Sequence, residues 1–140
     1  DARAAIGTVL ESDKVTAVAA ENKKEVIVGS WALQTIDPSD IAVFAAADER
    51  FAAAAIVHEI YEQYNGQVLG KNYDDSHAAA IVVEARIVAG GGTRTETIEP
   101  IPGEPNKEKN IYEYQGGITI IWYVDFDNPT NIYSIAVARP

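Results

Sequence analysis

Residues 118–126 read ITIIWYVDF. In an extended chain Ile118, Ile120, Trp122, Val124 and Phe126 fall on one face, and Thr119, Tyr123 and Asp125 on the other. That two-residue period predicts a strand with one side buried. Residues 111–115 form a second strand, joined to the first around Gly116-Gly117. After a turn at Asn128-Pro129, residues 132–138 pair back as a hairpin. The C-terminal part of the chain therefore reads as an antiparallel β meander.

Upstream of Gly90-Gly91-Gly92 the pattern becomes helical. One helix starts at Asp48 and Glu49, reaches Tyr64 and stops at Asn65-Gly66. Acid in front and glycine behind match helix polarity. A second helix, capped by Asp74, Asp75 or Ser76, runs to about Ala89. The short loop between the two predicts antiparallel neighbours. Residues 2–10 form an N-terminal helix weakened by Gly7, and residues 13–20 extend it or make a short strand. Short strands follow over 25–29, with the run Val26-Ile27-Val28, and over 41–44. Residues 35–40, with Pro38, and residues 100–110, rich in Pro, Gly, Lys and Glu, read as loops, while residues 93–99 alternate only weakly. Helices and strands segregated in this way argue an α+β fold rather than a doubly wound parallel sheet.

The chain's 140 residues make one domain, and with 47% hydrophobic and 23% charged residues it can bury a core without covalent staples. Its net charge of −10 argues against nucleic acid and against anionic membranes, and favours cations, metal ions and basic partners. The absence of cysteine excludes disulfides, thiolate nucleophiles, Cys-ligated zinc and iron–sulfur clusters. The chain opens on Asp1 and contains no methionine, so it is expected to be processed, trimmed or cut from something longer. The longest apolar run, residues 51–57, is far shorter than the ~20 residues of a membrane span, which predicts a soluble chain.

Both histidines lie in the helical middle. His58 and Glu62, four apart, share a helix face about one turn apart, and Glu59 reaches the same edge. On the second helix His77, Ile81, Glu84 and Val88 form one stripe. His58, Glu62 and either His77 or Glu84 can converge as ligands of a divalent metal. Imidazole and carboxylate suit zinc, and an open fourth position would hold a water whose pKa the ion lowers. Glu59 is the candidate base for its proton, with a Tyr, Arg or backbone amide steadying the tetrahedral intermediate.

Residues 53–66, AAAIVHEIYEQYNG, resemble the active-site helix of zincin metallopeptidases, whose signature is His-Glu-x-x-His. Glu62 stands where that signature has its second histidine. The order of elements over residues 41–89 is similar to that of short bacterial effector-type zincins. The resemblance implies a zinc-dependent hydrolase of peptide bonds, secreted or delivered, with His58 as first ligand and Glu59 as base. Glu84 would match the third ligand of glutamate-type zincins, and His77 a third ligand taken earlier in the chain.

Two other readings stand beside this one. His58 with Glu62 can be a helical pair worth roughly 0.2–0.5 kcal/mol in a zincin-like fold without metal. The aromatic set Tyr112, Tyr114, Trp122, Tyr123 and Tyr133 can serve a non-catalytic module that binds a protein or peptide through an exposed edge strand, although cross-strand packing also explains it. The triple glycine closes a helix rather than opening one, so it is no phosphate loop.

Overall fold

Two capped helices organise the molecule. The computed structural model describes residues 2–128 and 130–140. In chain order the elements are α1 (Ala2–Leu10), β1 (Ala19–Ala20), β2 (Gly29–Ser30), β3 (Thr35–Ile36), α2 (Pro38–Ala47), α3 (Glu49–Gln67) and α4 (Tyr73–Ala89), then β4 (Arg94–Ile101), β5 (Glu104–Tyr114), β6 (Ile118–Asp125) and β7 (Ile132–Ala138). This is the α+β class, with a central helix pair and a C-terminal four-stranded antiparallel sheet. Among the described residues no helix is long and apolar enough to cross a membrane.

The Asp48 carboxylate accepts hydrogen bonds from the Arg50 and Phe51 N–H groups, and Asn72 Oδ1 accepts one from Asp75. Each satisfies donors that a helix start leaves open. Small buried side chains, Ala54 and Ala55 on α3 and Ala80 and Ala85 on α4, let the two axes approach. His58 meets Glu84 while Glu62 meets His77, so the helices run in opposite directions.

The sheet order is β4-β5-β6-β7. The alternation over residues 118–126 is realised: Ile120, Trp122 and Val124 are buried and form one core with Phe44, Phe51, Tyr114 and Ile132. Phe44, Phe51 and Trp122 interlock, with ring centroids 4.5 Å apart for the first pair and 5.6 Å for Phe44–Trp122. Truncating one such ring in a packed core costs about 3–5 kcal/mol.

Several local expectations are corrected. Residues 41–44 are not a strand but the middle of α2. Asp37 caps that helix by accepting from Ser39 N, and Pro38 takes the first turn, where its missing N–H costs nothing. Residues 35 and 36, read as loop, form β3, which joins β1 and β2 in a small three-stranded sheet. Residues 25–29 are mostly a tight turn, with Gly29 alone entering β2. Residues 100–110 are not a loop. Pro102-Gly103 make a two-residue turn between Ile101 and Glu104, and a register shift after Pro100 absorbs Pro105. Asn65-Gly66 does not end α3, which continues to Gln67; the face of Gly66 is covered by the Trp31 ring, leaving no room for a Cβ. The cap of α4 is Asn72 rather than Asp74, Asp75 or Ser76. Of the turn expected at Asn128-Pro129, the proline lies outside the described residues.

Candidate metal centre

Helix geometry puts His58 and Glu62 on the inner face of α3, and His77 and Glu84 on the facing side of α4. His58 Nε2, Glu62 Oε2 and His77 Nδ1 converge, every pair of ligand atoms lying within 4.8 Å. The separations are 3.2 Å between His58 and His77, 3.5 Å between His58 and Glu62, and 2.6 Å between His77 and Glu62. Donor atoms about 2.0–2.1 Å from a tetrahedral zinc lie about 3.3 Å from one another. Two of the three separations have that spacing. The third is a charge-assisted hydrogen bond between His77 Nδ1 and Glu62. This buried group can hold a metal ion.

Glu84 meets the other edge of His58. Its Oε2 lies 2.6 Å from His58 Nδ1, while Oε1 accepts from the Tyr114 hydroxyl. Arg94 Nε is 2.8 Å from Oε1, an ion pair too bent to be a hydrogen bond. A carboxylate on Nδ1 fixes the tautomer that leaves Nε2 free to coordinate, the usual support of a ligating imidazole. Glu84 thus orients His58, and His77 stands at the third corner. The backing continues outward: Arg94 lies over the Tyr112 ring, 3.7 Å from its centroid, and donates to Glu96 at 2.9 Å. The His77 ring is stacked on Tyr73, which meets Trp31 edge to face.

Burial sharpens the electrostatics. Burial alone would push the His58 imidazole down, but Glu62 and Glu84 outweigh it and lift the pKa to about 9. Burial would raise Glu62; its hydrogen bonds to the two imidazoles pull it down instead, to about 2. Glu84 is lowered in the same way, with His58 and Arg94 overcoming its burial. Glu59 behaves differently. Burial pushes its carboxyl up to about 7, the positive charge of His58 opposes this, and Glu62 and Glu84 reinforce it. No hydrogen bond satisfies the Glu59 carboxylate among the described residues.

Glu59 sits against Gly29, whose missing side chain makes room for it: a Cβ there would overlap the carboxyl group. Gly29 is held by a strained turn. Its N–H donates to Ile27 O at 2.7 Å around Val28, a β-branched residue with φ of +64°. Such strain costs of order 1–3 kcal/mol and persists where the surroundings enforce it. Here Asp40 accepts the Val28 N–H at 2.9 Å.

All five residues expected from the sequence, His58, Glu59, Glu62, His77 and Glu84, line one cavity of about 560 Å³. It lies between α3, α4, residues 27–32 and the inner face of β4 and β5. Of the aromatic set, Tyr112 and Trp122 line it and Tyr114 reaches Glu84, whereas Tyr123 and Tyr133 pair with each other elsewhere on the sheet. Sequence reading missed Arg94, and named Tyr114 only within the aromatic set and not as a partner of Glu84. They face Glu84 because Arg94 pairs with Tyr114 across β4 and β5, and strand register was the only signal that could have found them. Comparisons with protein-family models, with curated proteins and with solved structures found no match to this chain.

Proposed function

We propose that this protein is a zincin-like, zinc-dependent hydrolase of peptide bonds, in which His58, Glu62 and His77 hold the ion and Glu59 is the general base. One observation carries the reading: three donor atoms of metal-ligand type meet on the wall of a cavity that also contains an unpaired carboxyl tuned to neutral pH. Two imidazole nitrogens and one carboxylate oxygen are a donor set used by catalytic zinc sites, which keep a further position open. A divalent ion held there supplies Lewis acidity. The remaining work falls to the chain. Glu59, whose carboxyl burial pushes up to about 7 in the metal-free chain, would take a proton from water and return it to the leaving amine. Glu84, backed by Tyr114 and Arg94, keeps the His58 ring turned. Peptide as substrate, and a secreted or bacterially delivered setting, rest on the likeness of residues 53–66 to zincins.

The test is elemental analysis of the purified protein, followed by zinc titration of Glu59→Gln and His77→Ala. The reading expects one zinc per chain, its loss in His77→Ala, and retention in Glu59→Gln with peptide cleavage abolished. Protein that contains no zinc and binds none on titration would overturn it.

A second reading has its own support. The 2.6 Å contacts of His58 with Glu84 and of His77 with Glu62 make a cluster that protons alone can complete. In that case the fold keeps a buried ionic network without chemistry, and the same analysis returns no metal.

A further inference from the structure

The cavity extends well beyond the ligand cluster, and its far end has a chemistry of its own. Alternate residues of β5 form one wall: Tyr114 touches Glu84, and Tyr112, Asn110 and Glu108 follow along the cavity. At about 3.4 Å per residue, Asn110 lies about 14 Å and Glu108 about 20 Å along the strand from Tyr114. Asn110 is only 2% exposed. Its Nδ2 donates to Glu108 Oε1 at 3.2 Å, and among the described residues no donor reaches its Oδ1. Glu108 is half-buried, and among the described residues no cation pairs with it. Beyond Tyr112, which Arg94 covers, this wall therefore offers acceptors and, among the described residues, no positive charge. The one guanidinium lining the cavity, that of Arg94, is already engaged by Glu84 and Glu96.

Opposite chemistry lies beside these acceptors. Phe44, Phe51, Tyr112 and Trp122 all line the cavity; Phe44–Trp122, Phe51–Tyr112 and Tyr112–Trp122 pack edge to face, the last pair with centroids 5.7 Å apart. Their apolar surface suits an aliphatic stem; Arg94 already covers the Tyr112 face, so the cation at the tip of that stem falls to Glu108 and Asn110. An anionic side chain would meet the like charge of Glu108. An aliphatic one would leave the Asn110 amide oxygen buried and unpaired, the kind of mismatch that polar sites reject most strongly.

The geometry points to a specificity subsite for a basic side chain, an ammonium or guanidinium on an aliphatic stem, bounded by Glu108, Asn110 and the aromatic floor. If the hydrolase reading holds, on which this extension to substrate rests, the side chain is a lysine or arginine about four to six residues from the bond cut, given about 3.3–3.6 Å per extended residue.

The test separates the subsite from the hydrolase. n-Butylamine and n-butylguanidine are titrated into the full chain, with and without zinc, and tryptophan fluorescence and NMR shifts are followed; butyrate and butanol are the controls. Both cations should saturate and the controls should not. Glu108→Gln should weaken the cations by about tenfold or more, the scale of a hydrogen bond to a charged group. Glu99→Gln, which removes the partner of Lys109 from the same sheet, should leave binding unchanged. In a second arm a peptide mixture is digested with zinc-loaded protein. Cuts near lysine or arginine that become indiscriminate in Glu108→Gln support a substrate subsite. Cation binding with no cleavage of any peptide keeps the subsite for a free organic cation and removes the hydrolase. Cations that bind wild type no better than Glu108→Gln, or cleavage with no basic preference, overturn the proposal.

Discussion

Two groups of buried acids meet the chain at consecutive residues and differ in every other respect. Asp40 accepts the N–H of Val28 at 2.9 Å, and Glu59 lies against Gly29. In the first group Asp37 and Asp40 are fully buried. Asp37 accepts from Ser39 and from Lys23 N, and Asp40 from Val28 N and Ile132 N. Most of these donors are backbone amides that cannot titrate, so the group acts as a clasp joining α2 to residues 23–28 and to β7. In the second group the partners of Glu62 and Glu84 are imidazoles, a phenol and a guanidinium, and Glu59 has no hydrogen-bond partner among the described residues and faces a cavity. A buried carboxylate is therefore not a mark of chemistry by itself. Partners that exchange protons and access to open space are what distinguish the second group.

The largest expected effect falls on the clasp. Asp40→Ala leaves two buried amides without an acceptor and should lower stability by about 3 kcal/mol in urea unfolding, because bonds to charged groups are each worth about 1.5–3 kcal/mol. A loss under about 1 kcal/mol would erase the distinction between the groups. Next comes Glu84→Gln, which breaks the orientation of His58. The expected outcome is a 10–100-fold loss of zinc affinity, on the order of 1.4–2.7 kcal/mol, with the fold retained. Unchanged affinity in a competition titration would show that the ring needs no such support.

The pH response distinguishes protons from metal in the second group. In metal-free protein His58 is raised to about 9 and Glu62 lowered to about 2. The His58 contribution is complete below its ordinary value near 6.5 and is lost as pH rises through 9. The Glu62 contribution is complete above about 4.5 and is lost as pH falls through 2. Burial raises Glu59 to about 7, so its contribution is complete below about 4.5 and is lost as pH rises through 7. Thermal midpoints of metal-free protein should therefore be highest near pH 4–5 and decline on the alkaline side, by at most about 1.4 kcal/mol per pH unit for each proton. Zinc requires neutral imidazoles, so its stabilisation should grow over the same alkaline range. A flat profile without metal would break the comparison. The smallest effect belongs to Arg139→Ala, which removes the part-exposed partner of Asp48 and should cost about 0.5 kcal/mol in the same assay.

The legible parts of the sequence were those in which one signal dominated. The nine-residue alternation and the Asp48-Glu49 start identified a strand and a helix without help from their neighbours. Residues 41–44 misled because Ile, Val and Phe favour strands locally, while the cap that decides the matter, Asp37-Pro38, lies outside that run. The prolines at 100, 102 and 105 read as a loop, but each occupies a place where a sheet tolerates proline: an edge strand, a tight turn and a register shift. The i,i+4 relation of His58 and Glu62 fixed their shared face. Which ring nitrogen of His58 each acid would meet depends on how α4 lies against α3, and no spacing along one chain encodes that.

The border strand β4 has a consequence for the protein in bulk. Apart from Arg94 and Ile101 its residues are exposed; Glu96 and Glu99 lie along it, and Pro100 has no N–H to offer. A second copy arriving edge to edge would meet like charges and a gap in the ladder. Concentrated solutions should consequently resist sheet-to-sheet growth through this edge, even though nearly half of the sequence is apolar.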